Sequence, residues 1–205
     1  EKIPVAETNY GIIKKVEAPS FENVRRSGLI AITLKKGDAL RWAKLTGGGD
    51  ELILATKRGQ AIRFSEKDIR AMGRQAAGVH AVRLKKGDEV VGMNAIAEST
   101  KHKLQSTKLL VVMENGYGKQ TLIKNYKKQK RGGSGIKTAK VTPKTGAVVG
   151  AAIVGEEEEE LIAISRKGQV IRTTLSTIPI LGRATQGVRI MRLDSGESVA
   201  SITTL

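Results

Sequence analysis

Apolar residues in this chain come in short runs that alternate with polar positions and are cut by glycine turns, a pattern of strands rather than helices. Residues 38–88 show the unit. Asp38 to Leu45, around Leu40 and Trp42, reads as a first strand, and Gly47-Gly48-Gly49-Asp50 turns it back. Leu52-Ile53-Leu54-Ala55-Thr56 is the second, Lys57-Arg58-Gly59 a tight hairpin turn, and Gln60 to Phe64 the third. After a long stretch with little strand character, Val79 to Leu84 is the fourth, and Lys85-Lys86-Gly87-Asp88 turns into the next unit.

The chain writes this unit four times. Its hairpin recurs as Asn9-Tyr10-Gly11-Ile12-Ile13-Lys14-Lys15, Lys57-Arg58-Gly59-Gln60-Ala61-Ile62-Arg63, Asn115-Gly116-Tyr117-Gly118-Lys119-Gln120 and Arg166-Lys167-Gly168-Gln169-Val170-Ile171-Arg172. A second glycine follows in phase at Gly28, Gly78, Gly135 and Gly187, each expected to open a six-residue strand, and a third closes the unit at Gly37, Gly87, Gly146 and Gly196. The second set is spaced by 50, 57 and 52 residues, a period that marks a propeller, solenoid or array. The expectation is an all-β domain of four four-stranded antiparallel blades spanning 1–205, with units at about 1–37, 38–87, 88–146 and 147–196. The final stretch, 197–205, is a closing or next-blade strand, and the array is circularly offset, beginning just before a second strand (Ile3 to Ala6).

Charge then narrows the partners. Lys and Arg number 36 against 20 Asp and Glu, a formal net charge of +16, which points to a polyanion or an anionic surface. No apolar run approaches 18 residues, so no transmembrane helix and no membrane partner are expected. With no cysteine, disulfides, thiolate metal sites and thiol catalysis are excluded, as suits a reducing cytoplasm. Aromatic residues make up only 3 %, too few for the stacking platforms of single-strand binders, so duplex is favoured.

The four long loops between third and fourth strands differ in charge. Glu17 to Ser27 balances Arg25 and Arg26 with two acids, and Ser65 to Ala77 sets Lys67, Arg70 and Arg74 against Glu66 and Asp68. Leu122 to Ser134 carries Lys124, Lys127, Lys128, Lys130 and Arg131 with no acid, while Thr174 to Gln186 has Arg183 alone. The third loop is expected to be the principal contact, the glycines of Arg131-Gly132-Gly133-Ser134-Gly135 letting backbone N–H groups approach a phosphate. Strand cations recurring at similar blade positions, Lys14, Lys15, Arg63, Lys119, Lys137, Arg172 and Arg189, are expected to line one rim.

Gln129-Lys130-Arg131-Gly132-Gly133-Ser134-Gly135 resembles the gyrase-A box, the glutamine, basic, arginine, double-glycine signature of the DNA gyrase A C-terminal domain. Asn115 to Lys119, Ile69-Arg70-Ala71-Met72-Gly73 and Ile180 to Val188 also read like that domain, and the likeness runs from about Thr8 to Thr203. The family's box has lysine where Ser134 stands and belongs to the first blade, so this copy is read as the related loop of a later blade, with the true box upstream. The resemblance implies a β-pinwheel, a propeller-like disc whose blades exchange strands, with duplex DNA bent around its basic rim. It further implies a non-catalytic module of a cytoplasmic, nucleoid-associated bacterial enzyme, a type II topoisomerase, that supports ATP-dependent negative supercoiling. The implied partners are the rest of gyrase A, and gyrase B; the domain itself holds no cofactor, ATP and Mg being bound elsewhere in the holoenzyme. The equivalent domain of topoisomerase IV and a protein-binding propeller scaffold are the rival readings.

Other chemistry finds no constellation. His80 and His102 have no thiolate companions, and His80 falls in a fourth strand, so no metal site is expected. There is no nucleotide-binding P-loop pattern. Tyr10 and Tyr117 fall in hairpin turns and Tyr126 in the basic loop, where it is expected against a sugar or an apolar rim rather than as a nucleophile. Trp42 is read as core, and the acidic run Glu156 to Glu160 as a solvated tip facing away from any duplex.

Overall fold

The computed structural model describes residues 2–205, without the side chains of Lys101 and His102; the reading of His102 therefore lies outside the described residues. Each unit begins with a hairpin: β1 (Ile3–Thr8) and β2 (Ile12–Lys15), β4 (Glu51–Thr56) and β5 (Gln60–Ser65), β8 (Lys108–Met113) and β9 (Tyr117–Leu122), β12 (Glu160–Ser165) and β13 (Val170–Thr174). The long strand that ends each unit folds back beside the first strand of its hairpin: β3 (Leu40–Thr46), β7 (Val90–Ile96), β11 (Val148–Val154) and β15 (Val199–Thr204). Every hairpin turn needs a left-handed residue and has glycine there, with φ of 75° at Gly11, 78° at Gly59, 77° at Gly116 and 88° at Gly168.

The sequence repeat is not the blade. β6 (Val79–His80), which follows the second hairpin, pairs with β2 of the first; β10 (Ile136–Lys137) pairs with β5, and β14 (Val188–Arg189) with β9. The sheets accordingly run β3-β1-β2-β6, β7-β4-β5-β10, β11-β8-β9-β14 and β15-β12-β13. Each fourth strand crosses to the preceding blade, and the last sheet has three strands. Position-by-position alternation cannot register such an exchange, because a strand's period of two is the same whichever partner it finds.

The expected six-residue fourth strands shrink to two paired residues, and residues 29–34 form no strand. After each two-residue pairing the chain turns inward: Ala81 and Val82 enter the core behind β6. The closing strand pairs with β12 and not with β1.

Blades are held by what lies between them. Leu52 and Leu54 on β4, with Met93 beside them on β7, face Val5 and Ile13 of the first blade, while Ile53 between them faces Val111, Met113 and Tyr126 of the third unit. A third cluster joins Leu110 and Val112 to Leu161, Ala163 and Leu175 of the last blade. Two-sided burial explains why β4 reads as a continuous apolar run rather than an alternating one. The strands β3, β7, β11 and β15 form the inner edge, with β7 touching β3 and β11, and β11 touching β15. The crossing strands β6, β10 and β14 are therefore outermost in their blades. Trp42, expected in the core, is half-buried against the cluster of the first two blades.

Candidate nucleic-acid interface

Counting from the hairpin glycine, the third residue of each third strand is Lys14, Ile62, Lys119 or Ile171, and the fourth is Lys15, Arg63, Gln120 or Arg172. In the first three units these side chains do not reach solvent. Lys14 is 0 % exposed and its ammonium donates to the carbonyls of Ala31, Arg74 and Ala76. Lys119, also 0 % exposed, donates to Gly182 and Arg183 carbonyls, both at 2.6 Å. Burial, reinforced by the Arg183 charge, lowers the Lys119 ammonium to about 8, and burial followed by Arg74 lowers Lys14 as well.

The fourth residue grips the next unit's loop at its 3-10 turn. Arg63 donates to the carbonyls of Ile123 and Tyr126 at 3.2 Å and pairs with Glu51 at 2.6 Å; Gln120 reaches Leu175 and Ile178 carbonyls at 2.7 and 2.8 Å; Lys15 reaches the Glu66 carbonyl at 3.3 Å. Burial pushes the Glu51 carboxyl up, but Arg63 and Lys128 outweigh it and hold the group below the usual carboxylate range. Arg172 is exposed yet paired with Glu160, Nε to carboxylate at 2.7 Å. The expectation that Lys14, Lys15, Arg63 and Lys119 line a rim is thus corrected. A cation on the strand that the next blade covers is enclosed, and neighbouring carbonyls replace its water.

The box-like loop is likewise turned inward at its glycines. The Gly132 N–H donates to the Ala81 carbonyl, the Gly133 carbonyl accepts from Arg83 N–H at 2.8 Å, and Gly132 and Gly135 are left-handed with φ of 77° and 71°. A Cβ on Gly135 would lie 2.5 Å from the Ala61 carbonyl oxygen. Gly132 and Gly135 serve close approach between blades, and the Gly132 N–H is taken up by Ala81 rather than left to meet a phosphate. Arg131 clasps the carbonyls of Asp68 and His80 at 2.8 and 3.0 Å, and Arg183, in the same place one unit on, clasps Lys137 at 3.0 Å. Gln129 donates its backbone N–H to Arg63, and its side-chain Nε2 is buried with no partner among the described residues. Tyr126 is core, 1 % exposed, its hydroxyl bonded to Thr138 at 2.6 Å, which corrects its placement at a rim.

What remains at the surface of that loop is Lys124, held to Gln105; Lys128, 3.2 Å from Glu51; and Lys127 and Lys130, which have no partner among the described residues. Arg25, Arg26, Lys67 and Arg70 are exposed on the earlier loops, and Arg74 is half-buried.

The outermost strands and the residues just after them carry further exposed cations in phase. Two residues after the second glycine stand His80, Lys137 and Arg189, and five after it Arg83, Lys140 and Arg192, all exposed. The backbone N–H of Arg83 docks on Gly133 and that of Lys140 on Thr185, so each of these charges stands where its strand meets the next unit's loop. Arg83, Lys140 and Arg192 were not among the residues singled out by sequence, although the glycine phase that picks out Lys137 and Arg189 contains them. Arg189 also bonds the Tyr117 hydroxyl at 3.3 Å, and it and Lys144 each lie 5.6 Å from that ring, which lowers the phenol's pKa, the Arg189 bond foremost. Among the described residues no group of three His, Asp or Glu is placed to hold a metal, and no helix is long and apolar enough to cross a membrane.

Residues 8–46, 50–97, 108–155 and 159–205 match the family model of the DNA gyrase C-terminal domain, a β-propeller. The chain is 40 % identical over 197 residues to the DNA gyrase A protein of Haloquadratum walsbyi, covering 96 % of this chain and 22 % of that protein. It is 40 % identical over 195 residues to the DNA gyrase A protein of Staphylococcus epidermidis, covering 95 % and 21 %. Among solved structures it superposes on a DNA gyrase A C-terminal domain with a TM-score of 0.85 at 28 % identity, over 100 % of this chain and 66 % of that one. With the C-terminal domain of a DNA topoisomerase IV the TM-score is 0.91 at 23 % identity, over 100 % and 62 %, which shows the shared fold. The chain belongs to the DNA gyrase C-terminal domain family, and it spans about a fifth of the length of the gyrase A proteins it matches.

Proposed function

We propose that this member of the family binds duplex DNA along its outer edge and bends it around the disc, as the wrapping domain of a gyrase A protein supporting ATP-dependent negative supercoiling. The observation that carries the reading is the phased series of exposed cations on and just after the outermost strands, from Arg83 through Lys137 and Lys140 to Arg189 and Arg192. Bending a 20–30 bp site costs of order 1–6 kcal/mol, so a wrapped path needs many phosphate contacts strung along the duplex rather than one strong site. Cations repeated blade by blade supply that arrangement, and no base-reading element is required.

The module is non-catalytic on this reading. It holds no cofactor; ATP and Mg belong to the holoenzyme, and the remainder of gyrase A, together with gyrase B, are its protein partners, in the cytoplasm on the nucleoid. The sequence likeness at 40 % is to gyrase proteins, which favours gyrase over topoisomerase IV. A gel-shift titration in graded salt, comparing a duplex of about two helical turns with one near the persistence length of about 150 bp, tests wrapping. The longer duplex should bind with a steeper dependence of log K on log salt; equal slopes on both lengths would overturn it.

A further inference from the structure

We infer that the cleft between the third and fourth blades, under the acidic tip at 155–160, is a docking site for a protein segment that inserts a lysine or arginine. The inference goes beyond the DNA reading and does not depend on it. The cleft has a volume of about 710 Å³ and an apolar floor that includes Leu175, Ile178 and Ile180. Ile180 is 54 % exposed there. Glu156, Glu158 and Glu159 form its lip: Glu156 pairs with Lys103 at 3.6 Å, Glu158 accepts from Gly155 N–H, and Glu159 has no side-chain partner among the described residues.

The second observation lies in the wall. Gln120 is 2 % exposed; its Nε2 is spent on the Leu175 and Ile178 carbonyls, and its Oε1 is buried without a donor. A buried acceptor of this kind stays unsatisfied unless a ligand or water supplies a proton. One interface earlier, the repeat displays what fills the same position. There Arg63 replaces Gln120, Glu51 replaces Lys108, and Lys128 replaces Ile180; the guanidinium and the ammonium both sit on the Glu51 carboxylate, 2.6 and 3.2 Å away. The third and fourth blades keep the carbonyls and lose the internal cations. In exchange they have a buried acceptor without a donor in the wall, an apolar floor and external carboxylates. That combination fits a cationic side chain carried on an amphipathic strand or loop of a partner. Lys108, on the wall, confines such a cation to the glutamate side.

The probe is a synthetic hexapeptide alternating leucine with lysine, titrated into the 205-residue chain at physiological salt and followed by amide shifts. Hexalysine and a leucine-glutamate hexapeptide are the controls. Shifts should be confined to 154–160 and 174–180, and the leucine-lysine peptide should bind at least about tenfold tighter than hexalysine. Lys108→Glu should tighten binding severalfold. The double variant Lys108→Glu with Gln120→Arg, which restores the Arg63–Glu51 pair of the preceding interface, should fold and bind at least about tenfold more weakly than Lys108→Glu alone. Equal binding of hexalysine would reduce the site to diffuse attraction to acid, and equal binding by the single and double variants would mean that water alone satisfies Gln120; either result overturns the proposal.

Discussion

The third strands and the exchanged outer strands are comparably rich in cations, and the fold sends the two sets to opposite fates. On β2 and β9, Lys14 and Lys119 are enclosed, with their ammoniums held by backbone carbonyls that include those of the next unit's loop. On β10 and β14, Lys137 and Arg189 stand in water. Charge alone does not mark a polyanion-binding surface; a strand's place in the blade does. A central strand is covered by its neighbour, so its cation can persist only as a rivet, whereas an outermost strand has nothing over it.

The sharpest way to break this contrast is to exchange the two sets in mutagenesis. Replacing Arg83, Lys137, Lys140, Arg189 and Arg192 with alanine should leave the melting temperature nearly unchanged, since exposed substitutions each shift stability by less than about 0.5 kcal/mol. The slope of log K against log salt for a long duplex should flatten by roughly 4 units, at about 0.9 per phosphate. A steep residual slope with the fold intact would put the DNA track elsewhere.

Lys119→Met should do the reverse. It removes the donor from the Gly182 and Arg183 carbonyls, at a cost of about 1–3 kcal/mol, read by chemical denaturation, with the salt slope retained once the protein is folded. The pH dependence adds a signature. The folded ammonium titrates at about 8 against an ordinary 10.5, so between those values the unfolded chain binds the extra proton and the wild type gains stability as pH rises. The methionine variant should lack that rise.

Glu7 supplies the opposite case, a buried charge-bearing group with no rivet to make. It is 0 % exposed, both carboxylate oxygens lack partners among the described residues, and burial followed by Asp38 raises its pKa well above the usual range. The corresponding residues of the other hairpins are Ala55, Val112 and Ile164. Here the folded state keeps a proton that the unfolded chain releases above about 4.5, so stability falls as pH rises from there. Glu7→Val should stabilise the protein at neutral pH by about 1–3 kcal/mol and flatten that decline in a pH series of urea titrations. Destabilisation at every pH would show that the carboxyl has an unrecognised role.

The repeat, the hairpins and the inner strands were legible because glycine placement and apolar runs are local signals. Strand exchange came only with the resemblance to a β-pinwheel and not from the residue pattern, since Val79 carries the same pattern whether it pairs with Phe64 or with Ile13, its actual partner. The burial of Lys14 and Lys119 was hidden for the same reason: what covers them is the loop some 60 residues on, not a neighbour in sequence. The resemblance pointed to the fold and family, but not to the packing role of the box-like glycines. Their φ values and the nearness of Ala61 and Ala81 are properties of the assembled interface.

The smallest effect separates the loop from the strands it covers. Of the five cations in 122–134, Arg131 is spent on carbonyls and Lys128 on Glu51, and Lys124 bonds Gln105, which leaves Lys127 and Lys130 as the two charges without a partner among the described residues. Alanine at those two should flatten the salt slope by no more than about 2 units, roughly half the effect of the five outer-edge cations. Arg131→Ala should instead act through the clasp, loosening the contact with Asp68 and His80 and lowering stability by about 1 kcal/mol or more. Were Lys127 and Lys130 to account for most of the slope while the strand variant kept it, the loop would be the contact and the exchanged strands only its scaffold.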